Sequence, residues 1–395
     1  MKTVDSYNFG GKRALIRVDF NVPLSDTFEI TDDSRMTAAL PTIKKIIEDG
    51  GSVVLMSHLG RPKNGPENKF SLIHLVPHLE KLTGVTVEFS NDCIEDLAIA
   101  KSKNLEPGTI HLLENLRFHS QETAGDKAFA EKLAQHGDIY VNDAFGTAHR
   151  AHASTAVVAE FFEDKCFGYL MAKEVANAKK LMSNPERPFT SIVGGAKVSD
   201  KILIIENLLS IADHIIIGGG MAYTFKVAQG GTIGNSLFEE DRVETCKEIL
   251  KAAEAKGVQI HLPEDSTVAD AFSNDANTAL CDSDKIEDGW MGLDIGEKAV
   301  TAFSEVLLKS KTILWNGPMG VFEMAKFENG TKSIAQAVAD ATKAGAFSLI
   351  GGGDSSAAVK KFGFTDDVSY VSTGGGALLE FFEGKELPGI VAVES

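Results

Sequence analysis

Short apolar runs alternate with longer stretches of helical periodicity along the whole chain, and few architectures accept that order. In the first half, Ala14–Val18, Ser52–Met56, Val85–Phe89, Thr109–Leu113 and Asp138–Val141 read as strands. Helical patterns cover Ser34–Glu48, Ile73–Leu82 and Lys127–Gln135, the first capped by Asp33 or Ser34. In the second half the strands are Thr190–Val193, His214–Ile217, Gln259–Leu262, Lys311–Trp315, Phe347–Ile350 and Ser369–Val371. Helices Lys201–Ile211, Arg242–Ala255, Lys298–Leu308 and Ser333–Lys343 separate them. Strand followed by helix, many times over, gives βα units and parallel sheets, an α/β fold. A chain of 395 residues holds two to three domains at a prior of ~150 residues each. No period of a repeat protein and no flexible linker interrupts it. The division falls near residues 168–188, where the helical pattern Met171–Met182 runs into Ser183-Asn184-Pro185-Glu186-Arg187-Pro188. A helix followed by two prolines is a stiff connector, suited to hinge closure.

The ends of these strands differ between the halves. Six of eight arginines lie in the first 150 residues, whereas 25 of 37 glycines follow residue 172. Ligands of open α/β sheets bind beyond the carboxyl ends of strands. Two half-sites of different chemistry are therefore expected: one for a small, highly charged anion, one where backbone approaches something larger and flatter. Against a net charge of −17, arginines gathered at loops make local positive sites. The same total argues against nucleic acid or an anionic membrane as partner. Cys93, Cys166, Cys246 and Cys281 form no C-x-x-C pair, so scattered buried thiols in a reducing compartment are expected rather than zinc or a disulfide framework. With no apolar h-region after Met1 and no run of ~20 apolar residues, a cytoplasmic protein is expected.

In the glycine-rich half, Gly194-Gly195-Ala196-Lys197-Val198-Ser199-Asp200-Lys201 joins a strand to a helix. Exposed N–H groups at a helix N-terminus, with two lysines four apart, suit a polyphosphate. A tight turn with solvated lysines is the alternative. Neither a Walker A sequence nor G-x-G-x-x-G is present. Gly351-Gly352-Gly353-Asp354-Ser355-Ser356 repeats the arrangement, with Asp354 either a Mg²⁺ ligand or an ordinary helix cap. Gly218–Gly220 and Gly317–Gly320 leave room for a flat base, or serve close packing; Glu323 can accept from ribose hydroxyls.

In the arginine-rich half, Arg17, Arg35, Arg61, Arg117 and Arg150 flank loops or helix starts at one sheet edge, with His58, His149 and His152 among them. A guanidinium offers a planar fork of donors, and five at corresponding edges make an anion site. His149-x-x-His152 is a poor metal site without further ligands. No Ser-His-Asp order, H-E-x-x-H or pair of inverting carboxylates stands out. Phosphoryl transfer between ionised oxygens needs positioning and charge neutralisation more than a base.

Several long motifs in one order carry a resemblance across essentially the whole chain: Arg17-Val18-Asp19-Phe20-Asn21-Val22-Pro23, Ser57-His58-Leu59-Gly60-Arg61-Pro62, Gly194–Lys201, Leu314–Glu323 and Gly351–Ser355. The chain resembles the phosphoglycerate kinases. The resemblance implies two Rossmann-like lobes joined by a hinge helix. An N-terminal domain over residues 1–170, completed by about 378–395, would bind the phosphoglycerate. Residues 171–188 would form the hinge and 189–377 the nucleotide-binding domain. It implies reversible in-line transfer between 1,3-bisphosphoglycerate and MgADP, giving 3-phosphoglycerate and MgATP in glycolysis, by a monomer. The glycerate ligand would be held by Asp19, Phe20, Asn21, Arg35, His58, Leu59, Gly60, Arg61, Arg117 and Arg150. Arg35, Lys197, Lys201 and Gly375 would act on the group in flight. The nucleotide would meet Lys197, Lys201, Gly218, Gly219, Gly292, Asn316, Glu323, Gly352, Gly353, Asp354 and Ser355, with Asp354 on Mg²⁺. Two other readings compete: an NAD-dependent dehydrogenase, which lacks its fingerprint here, and a non-catalytic binding protein that has kept the fold.

Overall fold

The structure, a computed structural model, describes residues 1–63 and 65–395. The chain divides into two compact units. Unit 1 comprises Met1–Ala176 and Glu386–Ser395, and unit 2 comprises Asn177–Lys385. The helix Tyr169–Ser183 carries the point of division.

Unit 1 is built on six strands: β1 (Arg13–Val18), β2 (Ser52–Met56), β3 (Val87–Ser90), β4 (Ile110–Leu113), β5 (Ile139–Asp143) and β6 (Lys165–Phe167). Their order is β3-β4-β2-β1-β5-β6, every pairing parallel. β2, β4 and β5 are buried along their whole length, as strands covered on both faces must be, which is why they read as continuous apolar runs. Ile16, Val53, Leu55, Ile110 and Val141 pack with Met36 and Ile43 from the helix Ser34–Glu48. Asp33 takes the N-cap position as expected, but its side chain makes no capping bond. Asp32 Oδ1 accepts from the Ser34 amide at 2.9 Å, while Asp33 turns its carboxylate to His78 Nε2 at 2.9 Å.

The C-terminal helix Pro388–Glu394 returns to this sheet, where Asn142 Nδ2 donates to the Gly389 carbonyl at 3.0 Å. A side chain at Gly389 would sit 2.9 Å from Thr155 Cγ2, so only glycine lets the helix this close. Residues 378–385, by contrast, group with unit 2. There Asn207 Nδ2 donates to the Phe382 carbonyl, and Gly376–Phe382 packs on Ile202–Leu208.

At the end of β5, Asp143 is fully buried and accepts from the Met171 amide at 3.0 Å. Burial pushes its carboxyl up to about 7. An acid raised in the folded state contributes most below its unfolded pKa, and that contribution is lost as pH rises through the folded value. Wild type is therefore expected to lose ground to Asp143→Asn between pH 4 and pH 7, by more than about 1.4 kcal/mol, one pKa unit. Urea unfolding of both proteins across that range measures it; parallel pH profiles would count against a buried ionisable Asp143.

Unit 2 carries β7 (Phe189–Val193), β8 (His214–Ile217), β9 (Thr232–Ile233), β10 (Gln259–His261), β11 (Asp265–Ala269), β12 (Thr278–Asp282), β13 (Lys285–Ile286), β14 (Met291–Ile295), β15 (Thr312–Asn316), β16 (Phe347–Ile350) and β17 (Tyr370–Val371). A parallel sheet runs β10-β8-β7-β15-β16-β17. Ile192, Ile216, Ile313, Trp315 and Ile350 form its core with Phe303 and Val338 from flanking helices. A second, antiparallel sheet, β12-β11-β14, was not foreseen. Its strands are short, β12 is largely solvent-facing, and a bulge interrupts β11 between Thr267 and Val268, so no long apolar run announces them. Three cysteines are buried and Cys281 is half-buried, all unpaired with one another.

Candidate functional site

The two half-sites can be described one unit at a time. In unit 1, β1 delivers Arg17 and Asp19, and β2 delivers His58. Arg17 is almost fully buried; its Nε donates to Ser154 Oγ at 2.8 Å, one Nη to the Val18 carbonyl, and the other reaches His58 Nδ1 at 3.2 Å. Arg35, in the first turn of its helix, donates to Asp19 Oδ2 at 2.6 Å, one carboxylate for a fork with donors to spare. Asn21 Oδ1 accepts from the Gly60 amide at 2.7 Å, and Arg117 Nη1 donates to the Gly60 carbonyl at 2.8 Å. Arg150 Nε donates to His149 Nε2 at 3.1 Å.

The charges are out of balance. Burial, followed by Arg150 and Arg17, brings Arg117 down to about 10. Burial, with Arg17, Arg117, Arg35 and Arg150 adding to it, holds His58 well below the usual histidine range. Burial, with Arg117, Arg150, Arg17 and His149 adding to it, brings His152 down to about 4. Like charges held close disfavour one another's charged forms, and an anion among them would relieve that. Two expected contacts look different here. Phe20 and Leu59 are buried side chains, so they shape the site from beneath: the Phe20 amide donates to Ser57 Oγ at 2.9 Å, and the Leu59 carbonyl accepts from Asn115 Nδ2 at 2.7 Å. Arg61 is exposed, and its charge reaches Arg117.

Unit 2 holds a cleft of about 750 Å³, where Gly219, Gly292, Glu323 and Asp354 come together. Its walls are mostly apolar and include Pro318, from the Gly317–Gly320 run expected beside a base, and Tyr223, Phe272 and Leu293, which were not expected. Several come from the antiparallel sheet; the alternation in Met291-Gly292-Leu293-Asp294-Ile295 was the signal that could have found it. A side chain at Gly292 would collide with the Tyr223 hydroxyl, which is fixed on Ser266 Oγ at 3.0 Å. An apolar slot with a few placed polar groups suits a flat base and its sugar.

The glycines divide into two kinds. A Cβ at Gly194 would strike the Pro318 and Gly317 carbonyls, one at Gly219 the backbone of Gly195, and one at Gly218 the Met319 side chain. At Gly194 and Gly219 glycine lets loops pack backbone to backbone, and at Gly218 it admits the Met319 side chain. Gly195, Gly353 and Gly375 instead face open space. Gly375, at φ 47°, caps the helix Gly376–Phe382.

The expected helix over Lys201–Ile211 is shorter, Ile202–Leu208, with Lys201 at its cap. Gly194–Lys197 lie a turn or more ahead of it, beyond the reach of a helix dipole. Lys197 is exposed, whereas Lys201 is half-buried and donates to Asn316 Oδ1. Burial lowers the Lys201 amine, against the neighbouring charges of Asp200, Asp354 and Glu383. Asn316 is itself buried, and Nδ2 donates to the Gly351 carbonyl at 2.8 Å, so it holds Lys201. Ser355 Oγ is likewise buried and accepts from the Gly317 amide at 2.6 Å. Gly352, at φ 94°, takes the cap of Gly353–Lys361; Asp354 falls in the first turn and lines the cleft, not the cap. One carboxylate lining the cleft beside open backbone at Gly353 is a donor set that fits Mg²⁺, which takes one or two carboxylates and completes its shell with phosphate oxygens and water.

Clustered arginines in one unit and a largely apolar, glycine-edged cleft with a carboxylate in the other are the equipment of a phosphotransferase. Comparison with known proteins narrows the class. A model of the family described as Phosphoglycerate kinase matches residues 4–385. The Phosphoglycerate kinase of Porphyromonas gingivalis is 52% identical over 417 aligned residues, covering 99% of this chain and 100% of that one. That of Chloroherpeton thalassium is 52% identical, covering 100% and 99%. Among solved structures, phosphoglycerate kinase from Coxiella burnetii superposes with a TM-score of 0.90 at 42% identity, over 99% of this chain and 98% of that one. The chain belongs to the phosphoglycerate kinase family. It is an enzyme, a phosphotransferase with a carboxyl group as acceptor, and its place is in glycolysis. Among the described residues no helix is long and apolar enough to cross a membrane.

Proposed function

We propose that unit 1 binds 3-phosphoglycerate or 1,3-bisphosphoglycerate and that unit 2 binds MgADP or MgATP, with in-line transfer of one phosphoryl group between them. The observation that carries this most strongly is the gathering of Arg17, Arg35, Arg117 and Arg150 around the buried His58, with Arg17 bonded to it. In the direction of ATP use, a carboxylate oxygen of 3-phosphoglycerate attacks the γ-phosphorus, the bond to the β,γ-bridging oxygen breaks, and ADP leaves. The attacking oxygen is already ionised, so no side chain has to take a proton.

Asp19, Asn21, His58, Arg61, Arg117 and Arg150 hold and orient the acid, with the backbone of Phe20, Leu59 and Gly60 shaping its seat. Arg35, Lys197 and Lys201 neutralise the equatorial oxygens of the group in flight, and the Gly375 amide adds a donor. Gly219 and Gly292 border the base, Gly218 supports it from below, and Glu323 accepts from the ribose. Gly352, Gly353 and Ser355 shape the phosphate end, and Asn316 aims Lys201. Asp354 would hold Mg²⁺, which when bound with the nucleotide draws charge from its phosphate oxygens. Because the phosphoryl group passes from a ligand of one unit to a ligand of the other, hinge closure of the two lobes belongs to the same proposal. So do a cytoplasmic location and a monomeric state, for which family resemblance is the support.

The test supplies 3-phosphoglycerate and MgATP with hydroxylamine, which traps an acyl phosphate as its hydroxamate. Hydroxamate formation saturable in both substrates is expected; ADP release without hydroxamate would overturn the assignment.

A further inference from the structure

His58 reaches the site at the end of a buried relay that begins on an acid no motif singles out. Glu122 lies in the short helix Ser120–Ala124 and is fully buried. Its Oε1 accepts from Ser154 Oγ at 2.6 Å and its Oε2 from the Ser154 amide at 3.0 Å. Ser154 is fully buried too; its carbonyl accepts from the Tyr140 hydroxyl at 3.0 Å. Its Oγ accepts in turn from Arg17 Nε at 2.8 Å, and Arg17 Nη2 lies 3.2 Å from His58 Nδ1.

The direction of each bond follows from what each group can do. A guanidinium has donors only, so Ser154 Oγ and His58 Nδ1 must both accept from Arg17. The one hydroxyl proton of Ser154 is then committed to Glu122. With Nδ1 accepting, the proton of a neutral imidazole is on Nε2. We propose that Glu122 and Ser154 are positioning residues which, through Arg17, present His58 to the phosphoglycerate as a fixed, neutral Nε2–H donor rather than as a cation or a base. The inference rests on the assignment of His58 to the acid-binding site.

The groups facing His58 agree in sign. Arg17, Arg117, Arg35 and Arg150 all oppose an imidazolium, as does burial. The acid of the relay contacts Ser154, and its nearest approach to a histidine is 3.8 Å to His152 Nδ1. A neutral donor suits the chemistry. An acceptor carboxylate has to stay ionised and nucleophilic, and an imidazolium pressed on it would hold its charge back.

The test uses the full chain in three forms: wild type, Ser154→Ala, and Ile110→Val. The last trims a buried side chain of β4 remote from the relay in sequence and controls for loss of stability. Ser154→Ala removes the hydroxyl partner of Glu122 Oε1 and of Arg17 Nε, while Glu122 Oε2 keeps the residue-154 amide, so the KM for 3-phosphoglycerate is expected to rise on the order of tenfold, with the KM for MgATP little changed. Imidazole ¹⁵N shifts read the tautomer and titration of His58 with no substrate present. Wild type is expected to show a protonated Nε2 and no titration near the ordinary histidine value, and Ser154→Ala a titration moved up toward it. Ile110→Val is expected to change neither readout. A wild-type His58 that titrates like a free histidine would overturn the relay. So would a Ser154→Ala protein that is less stable yet matches wild type in KM and in ¹⁵N shifts. Failure of 3-phosphoglycerate to bind wild type, with the expected ¹⁵N shifts intact, would strike the substrate assignment on which the inference rests.

Discussion

Replacing Arg35 with alanine is expected to lower kcat on the order of 10³-fold, the effect of removing an arginine that neutralises a phosphoryl group in transit. Its fold should survive. The side chain is 40% exposed and pairs with Asp19, whose side chain is 12% exposed. A single half-exposed pair contributes on the order of 1 kcal/mol, so the melting temperature should move by no more than a few degrees. The loss therefore belongs to the chemical step. Steady-state kinetics in both directions, with a thermal melt as control, measures it. Near-full turnover of Arg35→Ala would remove Arg35 from the reaction.

Lys201→Met is expected to cost on the order of 10²–10³-fold in kcat, as for loss of one preorganised donor at a developing charge. Lys201 is held in place: Asn316 accepts from the amine at a buried position, and the Asn316 amide is itself tied to the Gly351 carbonyl. Losing the lysine leaves Asn316 Oδ1 without that donor, a penalty of about 1–3 kcal/mol that should register as lower stability. The two effects separate by comparison with Asn316→Ala. That change frees Lys201 without removing its charge and should cost less in kcat than Lys201→Met. Equal losses would mean that the structural role of the pair outweighs the electrostatic one.

How far the residues announced all this depends on what kind of contact each makes. Ser52–Met56, His214–Ile217 and Phe347–Ile350 are strands with the bounds their apolar runs imply, because strands covered on both faces need unbroken apolar sequence. The helix Ser34–Glu48 was equally plain from its period. The antiparallel sheet was not, because β12 keeps polar residues on solvent and β14 spends a position on Gly292 to clear Tyr223. The arginine half-site was legible because its side chains follow strand ends. The glycine half-site was legible only as a place. Gly194, Gly219 and Gly317 touch one another's loops, and a sequence does not say which glycine faces a ligand and which a neighbouring backbone. For the same reason Asn316 and Ser355, taken as nucleotide contacts, prove to be bonded within the protein. Glu122 and Ser154 carried no signal, since a lone buried acid has no spacing to reveal it.

The division of labour between the units is tested most directly by titrating Arg35→Ala and Lys201→Met with one ligand at a time, 3-phosphoglycerate or MgADP, by calorimetry. Arg35→Ala is expected to keep the wild-type Kd for MgADP, and Lys201→Met the wild-type Kd for 3-phosphoglycerate. A loss of roughly tenfold or more, about 1.4 kcal/mol, in the opposite ligand for either variant would contradict it.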